Sequence, residues 1–300
     1  MQRFGREPGT AARVAAVAAL LALASAVGCD RQSSDTAGDD PSADSQEEQV
    51  ASEEASQAAK QYMLEGTGHL DAGDVERAVR AFTQAIEATP ADPRPYLRRA
   101  EARRRAGRQD EAVADLTEAI RLDPKDPAAY ELRGGVYGST RQLQNAVADF
   151  THALRLDPRS VNALVQRGSA HQDLGRFDAA LADYTEALRL QPGDADLRNR
   201  RGAVYVNLSR PNEAIADLDE AIRLQPRLAS AYVNRGSAHE KLNRLDRAVA
   251  DYTQAIELAP TLTVAYYNRG QAYQKQGERE RARADLAKVA ELRGGAAAAP

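Results

Sequence analysis

Six prolines, Pro90, Pro124, Pro158, Pro192, Pro226 and Pro260, recur every 34 residues without a slip. A fixed period of this size marks a repeat architecture, in which each unit buries its apolar face only by stacking on its neighbours. Other anchors keep the same beat. A small residue stands 24 positions before each proline slot: Gly66, Ala100, Gly134, Gly168, Gly202, Gly236 and Gly270. An alanine stands 12 before it, from Ala78 to Ala282. A bulky residue stands eight before it: Phe82, Leu116, Phe150, Tyr184, Leu218, Tyr252 and Leu286. Each period reads as two amphipathic helices, A then B. The turn between them is marked by Gly73, Gly107, Gly175 and Gly277, or by Arg141, Ser209 and Asn243. The proline ends helix B, since it lacks an N–H and its ring clashes with the preceding turn. Tyr62, Tyr96, Tyr130, Tyr232 and Tyr266 on helix A fill space beside the small residues.

With these anchors the chain resembles the tetratricopeptide repeat (TPR) family in seven units: 59–92, 93–126, 127–160, 161–194, 195–228, 229–262 and 263–296. The resemblance implies an all-α fold, a right-handed superhelical α-solenoid of about seven helix-turn-helix units. In that family the A helices line a concave face along which peptides lie extended. One departure stands out. Where the family has a large apolar residue before the glycine, this chain has Glu65, Arg99, Arg133, Arg167, Arg201, Arg235 and Arg269. Sixteen residues after each arginine comes an aspartate, Asp115, Asp149, Asp183, Asp217, Asp251 and Asp285, which a hairpin sets opposite it. Six Arg–Asp pairs linking helix A to helix B are expected. As ordinary exposed pairs they would contribute ~0–1 kcal/mol each and mainly fix register; a charged ladder for a ligand is the alternative.

Residues 1–28 read as a signal peptide rather than a repeat. Arg3, Arg6 and Arg13 precede an apolar run from Val14 to Val27, too short for a span of ~20 residues. Ala26-Val27-Gly28-Cys29 resembles a bacterial lipobox, which implies lipidation of Cys29, the only cysteine of the chain. Ala24-Ser25-Ala26 also fits ordinary signal peptidase, which would release a soluble secreted or periplasmic protein. A single cysteine allows no internal disulfide. Residues 29–58 combine the cysteine with an acidic segment that cannot offset its ordering entropy, and read as a disordered tether; residues 297–300 read as a disordered tail.

Residues 1–28 carry +2 and residues 29–59 carry −8 of a chain total of −4, which leaves +2 for the repeats and tail. A nearly neutral repeat domain argues against a nucleic-acid partner. Locally, Arg94, Arg98, Arg104, Arg105 and Arg108 crowd the second unit with Arg99 and Arg103, relieved on that helix only by Glu101. They form either a solvated helix face or a dock for an anionic partner.

No phosphate loop, Gly-x-Ser-x-Gly, His-Glu-x-x-His or paired cysteines occur, so the chain reads as non-enzymatic, with no cofactor and no metal. His69, His171 and His239 share one slot of helix A in distant units, cannot meet on one ion, and read as packing residues. The family's carboxylate clamp for chaperone C-termini is not reproduced, because its basic residues are missing. Asn234 and Asn268 do match an asparagine ladder that grips peptide backbone in the family. With Tyr267, Gln271, Lys241 and Lys275 on the same face, they form the candidate peptide site. The leading reading is an interaction scaffold tethered to a bacterial envelope membrane, with protein or peptide partners. The alternative is a structural or assembly subunit, although a polar last B helix (278–293) disfavours open-ended stacking.

Overall fold

The structure, a computed structural model, describes residues 41–296. The signal segment, Cys29, the tether up to residue 40 and the tail 297–300 lie outside the described residues. Fourteen helices and, among the described residues, no strand make the fold all-α. They are α1 (Pro41–Asp71), α2 (Val75–Ala88), α3 (Pro93–Arg105), α4 (Gln109–Leu122) and α5 (Pro127–Ser139) in a first compact unit that ends at Thr140. A second unit, from Arg141 on, holds α6 (Leu143–Leu156), α7 (Val161–Asp173), α8 (Phe177–Leu190), α9 (Ala195–Asn207) and α10 (Pro211–Leu224). It continues with α11 (Ala229–Lys241), α12 (Leu245–Leu258), α13 (Thr263–Gln276) and α14 (Arg279–Ala296). Odd-numbered helices are A and even-numbered ones B. Within each unit every B helix packs on its own A helix and on the next one, the arrangement of a helical-repeat solenoid.

Local chemistry explains where these helices stop and start. All seven turn residues singled out from the sequence adopt the left-handed conformation, with φ from 71° to 81° at the four glycines and 61°, 56° and 55° at Arg141, Ser209 and Asn243. Such a residue ends a helix by turning the chain back on it, and glycine does so without steric cost. Each periodic proline is preceded by a residue outside the α-helical region, from Thr89 (φ −137°) to Ala259 (φ −141°). The proline ring excludes the α conformation there. Asp92, Asp126, Ser160 and Asp194 then cap α3, α5, α7 and α9 by accepting backbone N–H bonds. Leu228 and Leu262 replace the polar caps of α11 and α13 and pack against apolar clusters instead.

One expectation changes. The tether was to lack structure through residue 58, yet α1 is helical from Pro41. Its sequence is poor in apolar bulk but rich in Ala, Glu and Gln, which are strong helix formers. Once residues 59–71 are held by α2, extending the helix backwards adds a hydrogen bond per residue with no new nucleation cost.

The core repeats with the period. Ala78, Ala112, Ala146, Ala180, Ala214 and Ala248 are fully buried, as are the bulky Phe82, Tyr184, Leu218 and Tyr252 of the B helices. The A-helix glycines admit these side chains. A methyl group built on Gly236 would lie 2.6 Å from Tyr252 Cε1.

Five of the expected Arg–Asp pairs lie inside one unit, and all five form. In each, Nε and Nη2 of the arginine grip both carboxylate oxygens, as with Arg235 and Asp251 at 3.0 and 2.6 Å. The third nitrogen reaches a partner that the sequence reading did not foresee. Nη1 of Arg99, Arg167, Arg201 and Arg269 donates to Thr83, Thr151, Thr185 and Thr253 on the preceding B helix. Arg133 does the same to Thr117. Asp219 replaces threonine beneath Arg235, at 2.6 Å. Each arginine thus ties three helices together. The aspartates are also buried rather than exposed. The value of ~0–1 kcal/mol for surface pairs therefore does not apply: removing one partner of a buried, bidentate pair costs about 3–5 kcal/mol.

Candidate functional site

The A helices present one residue row in which side chains of successive units meet. Asn199 (α9) is buried; its Nδ2 donates to Ser230 Oγ at 3.0 Å, and its Oδ1 accepts from Asn234 Nδ2 at 2.8 Å. Asn234 therefore spends one of its two amide N–H donors inside the protein, which leaves the other N–H and Oδ1 for a peptide. Asn268, its equivalent on α13, is half-buried and makes no side-chain hydrogen bond to the described residues. Its neighbours Tyr267, half-exposed, and Gln271, half-buried, share that face. Asn268, Tyr267 and Gln271 thus remain together with their polar groups open.

The two lysines part company. Lys275 Nζ lies 2.6 Å from Glu240 Oε1, while the other oxygen of Glu240 accepts from the buried Tyr252 hydroxyl at 3.0 Å. The same hydroxyl lies 3.2 Å from Ser237 Oγ. Burial pushes the Tyr252 phenol well above its ordinary range, so it stays a neutral donor to Glu240. Lys275 is consequently part of the joint between α11 and α13 rather than a free cation. Lys241 is exposed and forms no ion pair among the described residues.

The arginine cluster of the second repeat is largely neutralised from within. Arg94 grips Asp92 through Nε and Nη2. Arg98 and Arg105 share Glu101, at 3.3 and 2.7 Å, and Arg108 reaches Glu76 at 2.6 Å. Arg99 and Arg103 converge on the buried Asp115. Only Arg104 among these is exposed with no partner among the described residues. Of the two readings, a solvated helix face and an anionic dock, these pairings favour the solvated face, the acids coming from α2, from the loop before α3, from α3 itself and from α4.

The histidine slot is a packing position. His171 is half-buried and His239 buried, and Nδ1 of each has no hydrogen-bond partner. Burial lowers both pKa values, partly offset by Asp183 and Asp251, with Arg167 and Arg176, and Arg235, Arg247 and Arg244, acting in the same direction as burial. Among the described residues no group of three or more potential metal ligands occurs.

A residue that sequence reasoning missed is Arg198. It occupies the slot of Tyr96, Tyr130 and Tyr232, whose hydroxyls donate to the carbonyls of Pro90, Pro124 and Pro226. Arg198 Nη2 donates to Pro192 O at 3.0 Å and so reproduces the tyrosine bond. The shared 34-residue register was the signal that could have found it.

Sequence profiles described as tetratricopeptide repeat match residues 63–127, 97–161, 132–195 and 165–228, with a further repeat at 264–294 and a TPR repeat at 241–277. The chain belongs to the tetratricopeptide repeat family. Among solved structures, this TPR chain is similar to a tetratricopeptide repeat protein from Parabacteroides merdae. That match has 22% identity and a TM-score of 0.64, and covers 79% of this chain and 93% of that one. It is also similar to YrrB, a TPR protein with an unusual peptide-binding site, at 26% identity and a TM-score of 0.57, over 63% of this chain and 97% of that one. A third is PilF of Pseudomonas aeruginosa, at 18% identity and a TM-score of 0.56, covering 68% and 92%. Among curated proteins none is a significant match.

Proposed function

We propose that this chain is a non-enzymatic interaction scaffold, held at a bacterial envelope membrane through lipidated Cys29, that binds a peptide or protein partner along its A helices. The observation that carries the binding reading is the open face of α13. There Asn268, whose side chain makes no hydrogen bond to the described residues, sits beside half-exposed Tyr267 and half-buried Gln271. An amide that both donates and accepts suits a peptide bond whatever its side chain. An aromatic ring with a polar tip suits a contact that is apolar on one side and wet on the other. The likeness to a peptide-binding TPR protein at 26% identity supports the same reading. The site we infer centres on Asn268, Tyr267 and Gln271.

Membrane attachment rests on the sequence around Cys29, since no helix among the described residues is long and apolar enough to cross a membrane. Cys29→Ser is expected to leave an unacylated precursor that leaves the membrane fraction on extraction. Normal attachment with an unchanged mature N-terminus would remove the lipoprotein reading. For the binding face, the lipidated protein is to be used to capture its partner from its own cells, and affinity then compared with the Asn268→Ala, Gln271→Ala double variant. The expected loss is about 1–3 kcal/mol, the net value of a hydrogen bond at each side chain, with an unchanged melt. Equal affinity would move the site elsewhere.

A further inference from the structure

Large apolar side chains that are exposed among the described residues are few, and they are not scattered. Val50 (56% exposed) and Leu64 (71%) lie on α1; Val264 (46%) and Tyr267 (44%) lie on α13; Leu156 (37%) alone lies elsewhere. The first and last A helices of the repeat order therefore expose what the A helices between them do not.

The internal contact between repeats shows what such a face accepts. Asn199, the fifth residue of its A helix, is covered by Ser230 and Asn234, the second and sixth residues of the next. Two periods beyond Asn199 stands Tyr267, and no helix follows α14 among the described residues to cover it. The second and sixth residues of the first repeat are Lys60 and Leu64, and Leu64 in turn has no preceding helix among the described residues to rest on. We propose that copies of this chain associate head to tail, α1 of one copy taking the place of an eighth A helix against α13 of another. Leu64 then covers the Tyr267 ring, and Lys60 takes the position of Ser230 beside the same ring. Charge favours the same pairing. Glu53 and Glu54 on α1 are exposed, as is Arg293 in the last turn of α14, and none has an ion-pair partner among the described residues.

Apart from Arg293, the B layer adds nothing to this contact. Ala287 stands where the other B helices carry the threonine or aspartate that receives an arginine, and Glu65 stands where that arginine would be. The association runs mainly through the A helices, weaker than an internal joint, and dependent on concentration. The polar last B helix, expected to disfavour open-ended stacking, limits its strength. A contact of this kind is heterologous, joining two different surfaces, and so does not stop at two copies.

Light scattering on the unacylated full-length chain over a dilution series tests it, with no partner present. Average mass is expected to rise with concentration past that of two copies. Leu64→Asp and Tyr267→Asp, each alone, are expected to stay at the mass of one copy with an unchanged melt. Mixed in equal amounts they should recover a species of two copies and no more, because each variant keeps one intact end. A wild-type mass that stays at one copy, a mass that saturates at two, or a mixture that remains monomeric would each overturn the proposal. The measurement contains no partner, so its failure leaves the peptide-binding reading standing, although Tyr267 belongs to both faces.

Discussion

At the residue scale the fold is a small set of slots, each with its own chemical demand. The small-residue slot of helix A is decided by its partner on helix B. A methyl on Gly236 would sit 2.6 Å from Tyr252, whereas on Gly270 the nearest atom is 3.4 Å away. Gly236→Ala is therefore expected to cost about 1–3 kcal/mol through overpacking. Gly270→Ala should be neutral or stabilising by up to about 1 kcal/mol, since alanine loses less entropy in a helix. Urea denaturation of the two variants checks the pair, and equal effects would contradict the packing account. The slots themselves were legible in the sequence because periodicity exposes them. What a side chain reaches for was not. That Arg235 finds Asp219 as well as Asp251, that Asn234 gives one N–H to Asn199, and that Lys275 is taken by Glu240 all depend on atoms one repeat away. No local pattern of residue types encodes those distances.

At the scale of elements, the A helices of the second to seventh repeats begin at Pro93, Pro127, Val161, Ala195, Ala229 and Thr263, one period apart. Helix ends were readable because proline and the left-handed turn residue act locally. The start of α1 was not, because low hydrophobicity was taken to mean absence of structure, while helix propagation needs only a packed seed. Elements also differ in how they meet acid. His171 in α7 and His239 in α11 have pKa values held below the ordinary 6.5 by burial. A histidine that stays neutral in the folded state contributes full stability above the unfolded pKa. Below pH 6.5 the unfolded chain takes up the proton first, so stability falls until the lowered folded pKa is passed. The melting midpoint should therefore drop as pH falls from about 7 to about 5, the interval in which histidine changes charge. Replacing both histidines with tyrosine, the residue of this slot at 137, 205 and 273, should flatten that dependence. A double variant with the wild-type pH profile would show that these groups are not responsible.

At the scale of the whole molecule, the chain is a set of joints whose polar groups are mostly spent on one another. Arginines grip aspartates and threonines, glutamates hold arginines of the next repeat, and a buried tyrosine holds Glu240. Such self-sufficiency leaves few places for a partner. The face of α13 is the clearest of them, and the sequence pointed there through Asn268 and Tyr267, while Lys275 is held by Glu240. The most direct test is photocrosslinking in the cells that make the protein, with a photoreactive residue placed either at Gln271 on the A-helix face or at Glu257 on the exposed side of α12. Adducts with a protein other than this chain are expected from Gln271 and not from Glu257. Adducts from Glu257 alone, or none from Gln271 while the protein is folded and membrane-bound, would contradict a scaffold that takes its partner on the A helices.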